Sequence, residues 1–190
     1  LWLGEPDASS HALPLGSPDH LTSLNASDAT AALVLAAVAE ARSSGDDILL
    51  IVGSDHGHQT VQGVIDVNAE LIAAGLKSGP GSGDVLSVSN GTSALIYVHP
   101  DHAGRTDAIS AFLADQPWAG TVLGADRLAE VGQAPRHGLA FAVDMASTEE
   151  PNAHGIPGQS YVAKPEAGKP DRMGCGQHGG LARYEQSPFL

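Results

Sequence analysis

The sequence predicts an α/β fold with a central, mostly parallel sheet flanked by helices. Three observations carry this reading. From Ala26 to Arg42 the residues Ala31, Ala32, Leu35, Ala36, Val38 and Ala39 recur at helical spacing. Next comes Ile48-Leu49-Leu50-Ile51-Val52, a continuous apolar run without alternation, the pattern of a strand buried on both faces. That run ends in the polar stretch Gly53-Ser54-Asp55-His56-Gly57-His58, and α/β sheets bind ligands at the carboxyl ends of their strands.

The elements follow in order. Residues 1–6 read as the end of a strand entering a loop at Pro6-Asp7, and a loop rich in Ser, Pro and His runs on to Asn25. The helix over 26–42 has Asn25, Ser27 and Asp28 as candidate caps and Gly45 as its stop. After the strand over 48–52, a second helix is expected from Val64 to Leu76, ending at Gly75. Ser78 to Gly83 is a Gly/Ser/Pro loop. Strands over Val85–Ser89 and Ala94–His99 are joined at Asn90-Gly91, a strong turn dipeptide. Ala103 to Ala114 reads as a helix, and Thr121–Leu123 and Leu139–Val143 as short strands. From Met145 to Gln177 the chain is Gly/Pro/polar without clear periodicity, which suggests a long functional loop. No internal repeat is visible.

Composition narrows the function. The 190 residues suffice for one domain or part of a larger one, and 42% apolar with only 4% aromatic residues implies a core built from Ala, Val, Leu and Ile. A formal net charge of −13 argues against nucleic acid as a stable partner, because a polyanion is repelled. Small phosphorylated substrates stay open if metal ions reverse the local field. No continuous apolar run approaches the ~20 residues of a membrane span, so no membrane partner is expected. The start, Leu1-Trp2-Leu3-Gly4-Glu5-Pro6, has no signal-peptide character, and no compartment is assigned to what reads as a soluble chain. The single Cys175 excludes an internal disulfide and a cysteine-based zinc site.

Three short stretches concentrate metal-ligand chemistry: Glu5-Pro6-Asp7-Ala8-Ser9-Ser10-His11, Ser54-Asp55-His56-Gly57, and Gly176-Gln177-His178-Gly179-Gly180. Carboxylate with imidazole is the set that zinc and related divalent ions take when no thiolate is offered. Asp7 and His11, four apart, can face one ion across a turn. Asp55 and His56 can reach one ion if the backbone turns sharply, which Gly57 permits. The glycines around His178 let its backbone approach a crowded site. His58 reads as a solvated loop residue or as a group supporting the ligands. His99 and His102 read as turn residues, His137 and His154 have no evident partner, and Cys175 reads as a small packing residue.

This trio of motifs, in this order, resembles the type I phosphodiesterase and nucleotide pyrophosphatase branch of the alkaline phosphatase superfamily, a branch that also holds phosphonoacetate hydrolase. The resemblance spans Asp7 to His178. It implies that Asp7, His11 and His178 hold one divalent ion, zinc being the first choice, and that Asp55 and His56 hold a second. It implies further that the chain is the C-terminal portion of one alkaline-phosphatase-like catalytic domain over 1–190, incomplete at its N-terminus. Residues 79–92 and 145–175 would then be substrate-side loops. The family's hydroxyl nucleophile and a further Asp would lie before Leu1. Thr92, the one tempting substitute, reads better as a turn residue. The loop after His11, Ala12 to Pro18, is longer than the compact turn of the family pattern.

The function so implied is two-metal phosphoester hydrolysis on a small phosphorylated substrate, with five metal ligands supplied here. Two alternatives are an inactive remnant that binds metal and a phosphonate hydrolase. An incomplete sheet would also leave an edge open to association.

Overall fold

The computed structural model describes residues 1–189, and two four-stranded sheets organise them. The chain opens with a single helical turn, α1 (Asp7–Ser10), and a long helix, α2 (Pro18–Ser43). An irregular segment then leads into β1 (Gln59–Ile65) and α3 (Val67–Ala73). The antiparallel hairpin of β2 (Val85–Asn90) and β3 (Ser93–Val98) follows, then α4 (Thr106–Ala114), β4 (Ala119–Gly124) and β5 (Leu139–Met145). The last strands are β6 (Ser147–Pro151), β7 (Pro157–Ala163) and the two-residue β8 (Gly176–Gln177).

The second sheet, in the order β2-β3-β5-β4, is antiparallel throughout and carries the core. β3 alternates: Ala94, Ile96 and Val98 are buried while Ser93, Leu95 and Tyr97 are half-buried. Leu71 of α3 and Ile109 and Leu113 of α4 close over this face, with Phe141, Val143 and Met145 of β5. The Asn90-Gly91 signal yields the expected hairpin, in which Asn90 pairs with Ser93 and Gly91 takes φ +65°.

The first sheet, in the order β6-β7-β1-β8, positions the site. Among the described residues β1–β7 is the one parallel pairing, so the expectation of a mostly parallel sheet does not hold. The cause is connectivity. Short links join β2 to β3 and β6 to β7, and hairpin links force antiparallel pairing. The path from β1 to its parallel partner β7 is long and passes through the second sheet.

Other expectations are also revised. No strand forms over residues 1–6 or over Ile48–Val52. Leu49, Ile51 and Val52 stand 82%, 67% and 51% exposed. An extended segment becomes a strand only where a ladder accepts it, and β8 occupies the edge of β1 instead. The helix expected over 26–42 begins earlier, at Pro18, where the Ser17 side chain accepts from the His20 N–H and proline fills the first turn. The helix expected over 64–76 is shorter, because β1 runs to Ile65 and the Asp66 carboxylate caps α3 by accepting from the Ala69 N–H at 3.0 Å. The stretch from 145 to 177, read as irregular, contains β6, β7 and β8.

α2 is long and apolar enough to match a membrane-crossing helix by length and composition alone, and none of its most apolar window is buried. Asn25, Ser27, Asp28, Thr30 and Glu40 interrupt its apolar residues, which is why no continuous apolar run of that length announced it.

Candidate metal centre

Asp7 and His11 sit one helical turn apart on α1. The His11 N–H bonds the Asp7 carbonyl at 3.1 Å, so the two side chains leave the backbone on one face. The Ser9 N–H donates to the Glu5 carboxylate at 3.0 Å, and bonding from Ser9 holds the Glu5 carboxyl below its usual range. Ser10 is buried behind them. Its hydroxyl donates to the Pro6 carbonyl at 2.8 Å and lies 3.0 Å from His20 Nε2. The Gly16 N–H reaches His20 Nδ1 at 3.2 Å, so Nδ1 accepts and Nε2–H donates to Ser10. This relay fastens α1 to the first turn of α2.

The second part comes from the antiparallel pairing of β1 with β8. Gln59 pairs with Gln177 and Thr60 with Gly176, so the register sets His58 opposite His178 at the end of the ladder. His56 lies two residues before His58, and its ring stacks on His178 with centroids 3.6 Å apart. His11 joins the group from α1. Its Nδ1 donates to the Gly176 carbonyl at 3.0 Å, which leaves Nε2 without a proton and aimed at Asp7.

The donor atoms converge on a single oxygen. Asp7 Oδ1 lies 3.1 Å from His58 Nε2, 3.5 Å from His11 Nε2 and 3.5 Å from His178 Nε2. Ligands placed tetrahedrally at ~2.0–2.1 Å from zinc stand roughly 3.3 Å from one another. One donor atom each from Asp7, His56, His58 and His178 also lies within 4.8 Å of the others. The residues therefore fit a divalent ion by donor type and by spacing. Asp55 stands at the rim, 56% exposed, with Oδ2 3.6 Å from His56 Nε2. Of the residues singled out in the sequence, Asp7, His11, His56 and His178 are brought together and Asp55 lies beside them.

Electrostatics favour ligand-competent imidazoles. Burial, then repulsion between neighbouring imidazoles, lowers His58 and His178 to about 4 against the partial opposition of Asp7. Both rings are therefore neutral at pH 7, with a free lone pair. Cys175 stays outside the cluster, and burial pushes its thiol up, away from thiolate chemistry.

A buried carboxylate braces the arrangement. Glu185 accepts from the Thr92 hydroxyl at 2.7 Å, from the Gly180 N–H at 2.7 Å and from the Gln59 amide at 3.1 Å. It thus ties β1, the β2–β3 turn and the loop that carries His178 into one knot. Thr92 is fully buried and its hydroxyl is committed to Glu185, consistent with a structural turn residue. Gly57 is needed for contact rather than for a left-handed turn. A Cβ there would meet the Tyr184 carbonyl, and the Gly57 N–H donates to the Glu185 carbonyl at 2.9 Å. Gly179 takes φ +118°, and a Cβ there would meet the Asn90 carbonyl, so only glycine fits beside His178.

His58, read in the sequence as a solvated or supporting residue, lies inside the cluster, and Glu185 was not singled out there. His58 carried a usable signal, since His56 and His58 alternate in the last residues before a strand and so share a face. Glu185 carried none, because its partners lie far away in the chain. His99, His102, His137 and His154 do not enter the cluster; His99 caps a short 3-10 turn over Pro100–Arg105.

No match was found among curated proteins or among solved structures. The family model for type I phosphodiesterase / nucleotide pyrophosphatase matches residues 1–131, which include Asp7, His11, Asp55, His56 and His58, while His178 falls beyond the matched range. With the match covering well over half of its length, the chain belongs to the type I phosphodiesterase / nucleotide pyrophosphatase family.

Proposed function

We propose that this chain is the metal-holding part of a two-metal phosphoester hydrolase acting on small phosphorylated substrates. The observation that carries the reading is the convergence of three imidazole nitrogens on one Asp7 oxygen, from segments as distant as α1, the β1 entry and the residue after β8. In this reading Asp7, His11 and His178 hold one ion, and Asp55 and His56 hold the second. Bound divalent ions, zinc first among them, would offset phosphate charge and stabilise the attacking and leaving oxygens of an in-line displacement.

The chain's own groups have definite tasks. His11 is oriented by its Nδ1–H bond to Gly176, so its Nε2 is ready for a ligand bond without reorganisation. Asp55, exposed at the rim, puts the second position within reach of an incoming phosphoester. Thr92 is spent on Glu185, and we assign no nucleophile within the chain.

The test is elemental analysis of the purified chain after zinc loading, with His11→Ala and His56→Ala beside it. Each variant should lose one ion and keep the other, and the chain should hydrolyse aryl phosphodiesters only slowly. Loss of both ions, or of neither, in either variant would refute separate sites. Fast turnover that Asp55→Asn abolishes would place a nucleophile inside the chain.

A further inference from the structure

We propose that His58 is a metal ligand, the fourth protein donor to the ion held by Asp7, His11 and His178. The proposal rests on the metal reading above and deepens it, because that reading leaves His58 unused. The evidence is positional. His58 Nε2 makes the shortest approach of any imidazole to Asp7 Oδ1, 3.1 Å, and its side chain is only 14% exposed. Asp7 is its one hydrogen-bonding partner among the described residues. Its ring stands 5.2 Å from His178, 5.3 Å from His56 and 5.4 Å from His11, centroid to centroid, within reach of all three imidazoles. The β1–β8 register fixes this position. His58 and His178 extend one antiparallel ladder by one pair, on the same face.

The chemical consequence is a division of labour. Three protein ligands leave zinc an open position for solvent or substrate, whereas four close it. With His58 in place, the Asp7 ion has one carboxylate oxygen and three imidazole nitrogens, and a phosphate oxygen reaches it only by expanding it to five-coordinate. It is the firmly held ion. The Asp55/His56 position, at the exposed rim, is then the more readily exchanged one.

The experiment measures metal, not turnover. Zinc affinity of the wild-type chain, His58→Gln and His178→Gln is determined by competition with a chromophoric chelator, and each protein is also loaded with cobalt(II) for its visible spectrum. Glutamine keeps the size of the side chain without a good ligand atom. The wild type should show the intense bands of four-coordinate cobalt. His58→Gln should weaken the tighter zinc site by more than about a thousandfold, beyond the ~10–100-fold that loss of a supporting partner alone gives, and should lose the four-coordinate bands. A His58→Gln chain with wild-type affinity and spectrum, beside a His178→Gln chain that has lost both, would overturn the role of His58 and leave the metal reading standing. Failure of the wild type to bind zinc would overturn both. Should His58→Gln fail to fold, acylation of His58 in the wild type decides the matter by mass spectrometry. Zinc should protect His58 from diethyl pyrocarbonate, and equal labelling with and without zinc would refute the proposal.

Discussion

At the scale of single residues, the telling groups are carboxylates withheld from water. Asp144, half-buried on β5, accepts from the Leu181 N–H at 2.7 Å. Burial chiefly, with the neighbouring Glu185 carboxylate adding to it, nevertheless raises its carboxyl to about 6, the Leu181 bond opposing. A raised folded-state pKa favours the protonated group. Its contribution to stability is complete below the ordinary value of 3.8 and is lost as pH rises through about 6. At pH 7 the charged carboxylate therefore burdens the fold by as much as about 2 kcal/mol after allowance for its partial exposure. Asp144→Asn keeps an oxygen for Leu181 and removes the charge. We predict that it is as stable as the wild type at pH 4 and more stable at pH 7, in thermal melts of the metal-free chain. A variant less stable at pH 7 than at pH 4, relative to wild type, would show that Asp144 prefers its charge.

At the scale of elements, local signals were legible and pairing was not. The Asn90-Gly91 turn, the alternation in β3 and the periodicity of α2 each lie within a few residues, so sequence alone revealed them. The fate of Ile48–Val52 depends on whether a ladder is free to accept it, and β8 is only two residues long, so neither could be read locally. The candidate site divides the same way. Asp7 and His11 are a turn apart and Asp55 and His56 are adjacent, but the place of His58 follows from a register between distant strands. Glu185 enforces that register, and its loss gives an element-scale prediction. Glu185→Ala leaves the Gly180 N–H, the Thr92 hydroxyl and the Gln59 amide unpaired in a buried place, at a cost of about 3–5 kcal/mol. The loop holding His178 should loosen before the second sheet unfolds. Hydrogen exchange should rise first at Gln177–Gly180, with Ile96 and Val143 still protected. Uniform loss of protection would mean that the knot serves global stability alone.

At the scale of the whole molecule, apolar burial is lopsided. The second sheet is sealed by α3 and α4, yet α2 buries only His20, and its Leu33 and Leu35 face outward. Leu1, Trp2, Leu49, Ile51 and Val52 are exposed as well. Isolated surface leucines are ordinary, but this many in three stretches of chain favour association. The formal charge of −13 works against it, since copies of the chain repel one another at low ionic strength. Salt shortens that repulsion from about 30 Å at 0.01 M to about 3 Å at 1 M and leaves apolar attraction intact. The balance should therefore tip with salt: monomeric at low ionic strength and associated at high. Sedimentation velocity across a salt series checks this, and the double variant Leu49→Ser, Ile51→Ser should stay monomeric at salt concentrations where the wild type does not. Association that salt abolishes would instead identify ion pairs as its cause and acquit the apolar face.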